Sequence, residues 1–101
     1  MSTSYRRIDA VIKTGHILKY IGSNNKPVTA PAIARATGFP VGTVMCHLVS
    51  LAEHGFVRQL NDAWELGMGM ALLWARVKSN LETQRDRIDR DLESISIQGG
   101  N

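Results

Sequence analysis

The positions of the glycines and turn-forming residues between residues 22 and 67 constrain the fold most strongly. Gly38 and Gly55 each follow a short helix-forming run, and Asn61-Asp62 separates two short runs of strand-forming residues. Elements this short are not stable in isolation, so they must pack against one another. The chain has 101 residues, of which 44% are hydrophobic, enough for one small domain with an appendage.

Three helices are predicted before residue 55. Apolar residues at helical spacing predict the first helix within residues 5–21; they are Ile8, Val11, Ile12, Leu18 and Ile21. Val28 is then extended. Thr29 caps a second helix over residues 30–37 with Pro31 in its first turn, and Gly38 ends that helix.

The third helix and the segments after it complete the predicted order. Residues 41–54 form a helix that places Val44, Leu48 and Leu51 on one face. Residues 56–60 and 63–66 form a two-stranded ribbon around Asn61-Asp62. Gly67 and Gly69 act as a hinge, and residues 70–97, which lack Gly and Pro, form one long helix.

The spacing of Ala34, Gly38 and Val44 indicates a helix-turn-helix. Such a turn needs a small residue where the two helices cross, a glycine where the chain reverses, and a branched apolar residue on the third helix. We therefore predict a mainly α fold with a small two-stranded β-wing. Residues 1–67 form a winged helix-turn-helix domain, and residues 68–101 form a long C-terminal helix.

Residues 8–67 resemble the DNA-binding domain of IclR-type bacterial transcription regulators. The resemblance rests on residues 33–40, Thr43-Val44, residues 48–57 and residues 64–67. It implies that the third helix enters the major groove, that the wing lies near the DNA backbone, and that a linker helix supports dimerisation. The family's C-terminal effector-sensing domain has no counterpart among these residues, so no small-molecule effector is expected.

The predicted geometry selects two groups of DNA-facing residues. Those facing the bases are Val41, Gly42, Thr43, Met45, Cys46 and Ser50, and those near the DNA backbone are Lys26, Thr29, Arg35, Arg58 and Asn61. Related proteins often carry Lys or Arg at the positions of Val41 and Cys46. Base readout by this chain should therefore contain few hydrogen bonds.

The long helix carries a seam of apolar residues. Trp74, Leu81, Ile88 and Ile95 recur at seven-residue steps, with Met70 and Val77 on the adjoining column. This pattern predicts homodimerisation through residues 68–101, which would match two winged domains to the half-sites of a palindrome. The alternative is that the helix folds back on the first helix of its own chain.

Charge and composition narrow the function. The net charge is +3, and residues 1–67 hold seven Lys or Arg against four acidic residues, which favours a nucleic-acid partner. The single cysteine, the absence of a signal peptide and the lack of a long apolar segment predict a cytoplasmic protein with no membrane partner. The sequence contains no nucleophile elbow, phosphate-binding loop or metal-ligand spacing, so no enzyme, cofactor or metal is expected.

These features predict a dimeric regulator from a bacterium or phage that binds double-stranded DNA. The alternative is a protein-interaction module, such as an anti-repressor or an assembly adaptor, that has kept the winged scaffold and lost DNA binding. The lack of basic residues on the third helix motivates this alternative. Operator sequence and direction of regulation leave no signature in the residues.

Overall fold

A computed structural model describes residues 4–99, and the side chains among them up to residue 96. It contains four helices and three strands, in the order predicted for a winged helix-turn-helix. The elements are α1 (Asp9–Gly22), β1 (Val28–Thr29), α2 (Ala30–Thr37), α3 (Val41–Glu53), β2 (Val57–Leu60), β3 (Ala63–Leu66) and α4 (Met68–Gly99).

The ends of α2 are set by local interactions that the sequence predicted. The hydroxyl of Thr29 accepts a hydrogen bond from the amide of Ala32 at 3.3 Å, and Pro31 lies in the first turn. Gly38 adopts a left-handed conformation with φ +80°, and its amide donates to the carbonyl of Ala34 at 2.8 Å. The predicted cap, first turn and terminating glycine are all confirmed.

The core lies where the three short helices meet the sheet. α3 contributes Val44, Leu48 and Leu51, the inward face that the helical periodicity predicted. The buried residues outside α3 are Ile17, Ile21, Ala30, Ile33, Val57 and Trp64. Burial of this set of apolar side chains supplies most of the stability of the winged unit.

The first helix differs from its prediction at the N-terminal end. α1 begins at Asp9, and Ile8 and Val11 are 65% and 62% exposed, so they do not belong to the buried stripe. The fully buried residue is Ile17, which the predicted stripe omitted. Val11 lies about 120° around the helix from Ile17, because six residues advance a helix by about 600°.

The ribbon carries a third strand that was not predicted. β2 and β3 pair antiparallel around Asn61-Asp62 as expected, and Asn61 adopts a left-handed conformation with φ +57°. β1 pairs antiparallel with the other edge of β3, with Val28 opposite Trp64, which gives the strand order β1-β3-β2. The extended residues before α2 thus satisfy backbone groups of β3 that a two-stranded ribbon would leave open.

The segment containing Gly67 and Gly69 is a tight backbone crossing. The amide of Gly69 donates to the carbonyl of Gly55 at 2.8 Å. A Cβ at Gly69 would lie 2.7 Å from the carbonyl oxygen of His54, and a Cβ at Gly67 would overlap the carbonyl oxygen of Gly55. α4 therefore begins at Met68, two residues earlier than predicted, because Gly69 is held in its first turn.

The chain divides into two compact units between Met70 and Ala71. The second unit consists of the remainder of α4, and every side chain described between residues 71 and 96 is exposed. No helix among the described residues has by itself the length and apolarity of a membrane span. α2 and α3 reach that threshold only as a pair, bent by 115°.

Candidate nucleic-acid interface

α3 presents one face away from the core. Because Val44, Leu48 and Leu51 are buried, the opposite side of the helix is left exposed. We call this side the outer face of α3, and it consists of Val41, Gly42, Met45, Cys46, Val49 and Ser50. Five of these six residues were predicted to face DNA bases, and Val49 joins them; the sixth predicted residue, Thr43, is half-buried at the edge of the face.

The polar side chains of α3 are largely engaged within the protein. The hydroxyl of Ser50 donates to the carbonyl of Cys46 at 2.9 Å. The Nδ1 atom of His47 lies 2.7 Å from the hydroxyl oxygen of Thr14 in α1, so this imidazole is hydrogen-bonded to the neighbouring helix. Sequence reasoning missed this pair because its members lie 33 residues apart. The outer face of α3 therefore offers few free hydrogen-bonding groups.

Three of the residues predicted to lie near the DNA backbone are at the start of α2 or close to it. Thr29 is half-buried and its hydroxyl oxygen caps the helix, which leaves the hydroxyl hydrogen able to donate to an oxygen outside the domain. Lys26 and Arg35 are both exposed. These groups are a hydroxyl and two cations. In protein–DNA complexes, phosphate oxygens accept hydrogen bonds from groups of these kinds.

The wing carries one cation that is already paired. Arg58 on β2 lies opposite Glu65 on β3, and its Nε donates to the carboxylate of Glu65. This is the only ion pair within residues 4–99. The partner was detectable from the sequence, because a two-residue turn at Asn61-Asp62 places residue 58 opposite residue 65. Asn61 itself is exposed at the wing tip.

The apolar seam of α4 is exposed from Trp74 onward. Met70, in the first unit, is half-buried. In the second unit, the exposed fractions are 64% for Trp74, 47% for Val77, 56% for Leu81, 57% for Ile88 and 66% for Ile95. A helix that is surrounded by water on all sides does not usually expose so many large apolar side chains along one line.

The described residues do not assemble a metal site, because no three His, Cys, Asp or Glu side chains lie close enough to hold an ion. Cys46 is a free, exposed thiol on the outer face of α3. The groups that this surface presents are apolar side chains, hydroxyls and cations.

Comparison with known proteins relates this arrangement to one family. The model of the IclR helix-turn-helix domain matches residues 10–61, just over half of the 101 residues. The matched segment runs from the second residue of α1 to the wing tip, and so contains both helices of the helix-turn-helix. No protein with a curated description matches the chain.

Three solved structures share the fold. An IclR family transcriptional regulator from Brucella abortus is 24% identical with a TM-score of 0.62, and the match covers 67% of this chain and 27% of that one. The repressor BlcR of Agobacterium tumefaciens is 20% identical with a TM-score of 0.58, covering 68% and 28%. The ORF112 Zα domain of Cyprinid Herpesvirus 3, described in its binding mode to Z-DNA, is 29% identical with a TM-score of 0.52, covering 55% and 93%. The chain thus spans about a quarter of the length of the two bacterial regulators.

Proposed function

Because the chain belongs to the IclR helix-turn-helix domain family, we propose that it binds double-stranded DNA and regulates transcription in the cytoplasm, without catalysis. The observation that carries the proposal is the exposed outer face of α3, directly after a capped α2 and a tight turn. In this placement α3 enters the major groove and the wing lies near the DNA backbone. The similar structures are named as a transcriptional regulator, a repressor and a Z-DNA-binding domain, which supports a DNA ligand for this fold.

Affinity in this proposal comes mainly from phosphate contacts. Residues 1–67 hold seven Lys or Arg against four acidic residues, whereas the outer face of α3 carries no charged side chain. Lys26, Arg35 and the hydroxyl of Thr29 contact phosphates, and Asn61 reaches the backbone from the wing tip. Contacts of this kind position the protein on the duplex without reading its sequence.

Arg58 contributes less to phosphate binding than an unpaired arginine would. Its guanidinium is hydrogen-bonded to Glu65, and the carboxylate itself is repelled by phosphates. Glu65 therefore lowers the affinity of the wing for DNA. An arginine released from this pair could donate to two phosphate oxygens at once.

The test is a gel-shift titration against random-sequence duplexes with charge variants. Lys26→Ala and Arg35→Ala are expected to weaken binding several-fold on every duplex, because each removes one phosphate contact. Arg58→Ala should have a smaller effect, and Glu65→Gln should strengthen binding, because it releases Arg58 and removes a negative charge. Lys78→Ala, which removes a cation from α4, is the matched control and should bind as the unmodified chain does.

The proposal fails if the unmodified chain binds no duplex at low salt. That outcome would favour the alternative of a winged protein-interaction module. If Lys26→Ala and Arg35→Ala bind DNA as tightly as the unmodified chain does, the proposal of DNA binding stands. The assignment of these two residues to phosphates would then be wrong.

We further propose that two chains pair through α4. Trp74, Leu81, Ile88 and Ile95 recur at heptad spacing and are exposed, with Val77 on the adjoining column. Burying this seam against a second copy would remove it from water and bring two winged domains into one molecule. Two-fold symmetry would then match two half-sites on DNA.

Charged substitutions in the seam test this pairing. The double variant Leu81→Lys with Ile88→Lys should have the molar mass of a monomer in light scattering, about 11.1 kDa, and the unmodified chain should have twice that value. The matched control is Leu72→Lys, since Leu72 is 61% exposed on the opposite side of the heptad and its replacement should leave the dimer intact. A monomeric unmodified chain at micromolar concentration would contradict the proposed pairing.

A further inference from the structure

The outer face of α3 has a continuous apolar column. Val41, Met45 and Val49 follow one another at four-residue steps, so they lie on successive turns of the same side of the helix. Their exposed fractions are 45%, 36% and 52%. Gly42 adds no side chain beside them, and a Cβ built there meets nothing within 4 Å. This column is the most prominent chemical feature that the helix-turn-helix presents to a ligand.

Hydrogen bonds from this face to bases are few. The Ser50 hydroxyl donates to the carbonyl of Cys46, and His47 is hydrogen-bonded to Thr14. The side-chain donors that remain on this face are the half-buried hydroxyl of Thr43 and the thiol of Cys46, which is a weak donor. The oxygen of Ser50 can still accept a hydrogen bond. The face has neither the guanidinium for guanine nor the amide for adenine that bidentate readout requires.

Charge favours DNA over a protein as the occupant of this face. An apolar column could also receive a protein, but the unit that carries it has an excess of three positive charges over its acidic residues, counted over residues 1–67. The only acidic side chain of α3 is Glu53, in its last position, so nothing along the column repels phosphates. A cationic domain with an uncharged apolar ridge is complementary to the major groove, where phosphates border the base edges.

From these observations we infer that the column of Val41, Met45 and Val49 reads the 5-methyl groups of thymines in the major groove. The inference rests on the proposed function, and it assigns the sequence preference of DNA binding to these three side chains. The 5-methyl group of thymine is the apolar group that unmodified base pairs present in this groove, and side chains such as these contact it directly. Sequence preference then follows the positions of thymines, and the phosphate contacts supply the remaining affinity.

The test uses the duplex that the chain prefers after selection from a random pool. Its thymines are replaced one at a time by uracil, which lacks the methyl group and keeps the same base-pairing edge. Each contacted thymine should show about a fourfold weaker Kd, equivalent to about 0.8 kcal/mol per buried methyl group. At the same positions, duplexes with 5-methylcytosine should bind about fourfold more tightly than duplexes with cytosine. That second comparison separates the methyl group from the rest of the thymine base.

Side-chain variants link the effect to the column. For each position we take the ratio of the affinity for the thymine duplex to the affinity for the uracil duplex. This ratio should fall toward one at one or two positions in Met45→Ala and in Val49→Ala. The salt dependence of binding should not change in either variant. Both keep the helix, because alanine is a better helix former than either residue. Val11→Ala is the matched control, since Val11 is equally apolar and 62% exposed but lies on α1. It should leave every ratio unchanged.

The outcomes separate this inference from the proposed function. A preferred duplex that binds equally well with uracil at every position would overturn the methyl readout and leave DNA binding in place. Ratios that survive Val41→Ala, Met45→Ala and Val49→Ala alike would assign the methyl sensitivity to DNA shape instead of the column. Failure to bind any duplex would overturn the proposed function and the inference together.

Discussion

Replacing Gly67 with alanine is expected to lower the free energy of unfolding of the winged unit by about 3 kcal/mol, because a new methyl group would overlap backbone that has no room to move. The position is buried, and its Cβ would lie against the carbonyl oxygen of Gly55 and 3.2 Å from the carbonyl carbon of Val57. The same backbone segment holds Gly69 through its amide. A shift at residue 67 would therefore also disturb the first turn of α4.

Urea denaturation followed by the fluorescence of buried Trp64 measures this effect. A Trp74→Phe background removes the signal of the second tryptophan, which is 64% exposed. The urea concentration at the midpoint of unfolding should fall. The slope of the free energy of unfolding against urea concentration should change little, because the surface area exposed on unfolding stays the same. The matched control is Gly15→Ala in the middle of α1, where a Cβ meets nothing within 4 Å. That variant should be more stable by about 0.5–1 kcal/mol, because alanine is the better helix former.

Equal midpoints for Gly67→Ala and the unmodified chain would show that the crossing relaxes without cost. Close packing at residue 67 would then not be the reason for a glycine at this position. A destabilised Gly15→Ala variant would instead show that the comparison reflects general sensitivity of the small core. The pair of variants thus separates a local steric effect from a global one.

Raising the salt concentration from 50 to 200 mM is expected to weaken DNA binding about 12-fold for one winged domain. The physical cause is the release of counterions from phosphates, with a slope of about 0.9 per cation bound. Two cations are assigned to phosphates in full, namely Lys26 and Arg35, because Arg58 is hydrogen-bonded to Glu65. Two domains bound to two half-sites double the number of cations, and the expected loss becomes roughly 150-fold.

Fluorescence anisotropy with a labelled duplex measures the slope of log K against log salt concentration. Lys26→Ala should reduce the slope by about one for each domain bound, whereas Lys78→Ala should leave it unchanged. The same titration on the double variant Leu81→Lys with Ile88→Lys should give about half the slope of the dimer. A flat dependence on salt would contradict the proposed origin of the affinity.

Local signals predicted the helix-turn-helix because each acts within one turn of the chain. Thr29 lies three residues from the amide that it caps, and Gly38 lies four residues from the carbonyl that it contacts. The inward face of α3 followed from periodicity, since one stripe of Val44, Leu48 and Leu51 accounts for all its buried residues. The outer face of α3, and with it most of the predicted base-facing residues, was a consequence of that stripe.

The parts of the candidate interface that were missed depend on distant segments. The hydrogen bond between Thr14 and His47 joins α1 to α3 and engages the Nδ1 atom of the imidazole within the protein. The pair of Arg58 and Glu65 was within reach of the hairpin register, yet it changes the role of the arginine only once the strands are paired. The partner that each side chain meets in the folded protein, and not its residue type alone, decides what it can offer to a ligand.

The amino-acid sequence by itself determined the order of the elements, the ends of α2, the inward face of α3 and the heptad seam of α4. Each depends on conformational preferences and periodicities that a short segment expresses alone. Only the tertiary structure decided that β1 joins the sheet, that Ile17 lies in the core, and that Gly67 and Gly69 permit a backbone crossing. These features depend on which surfaces meet, and the same local pattern is compatible with several such pairings until the packed core selects one.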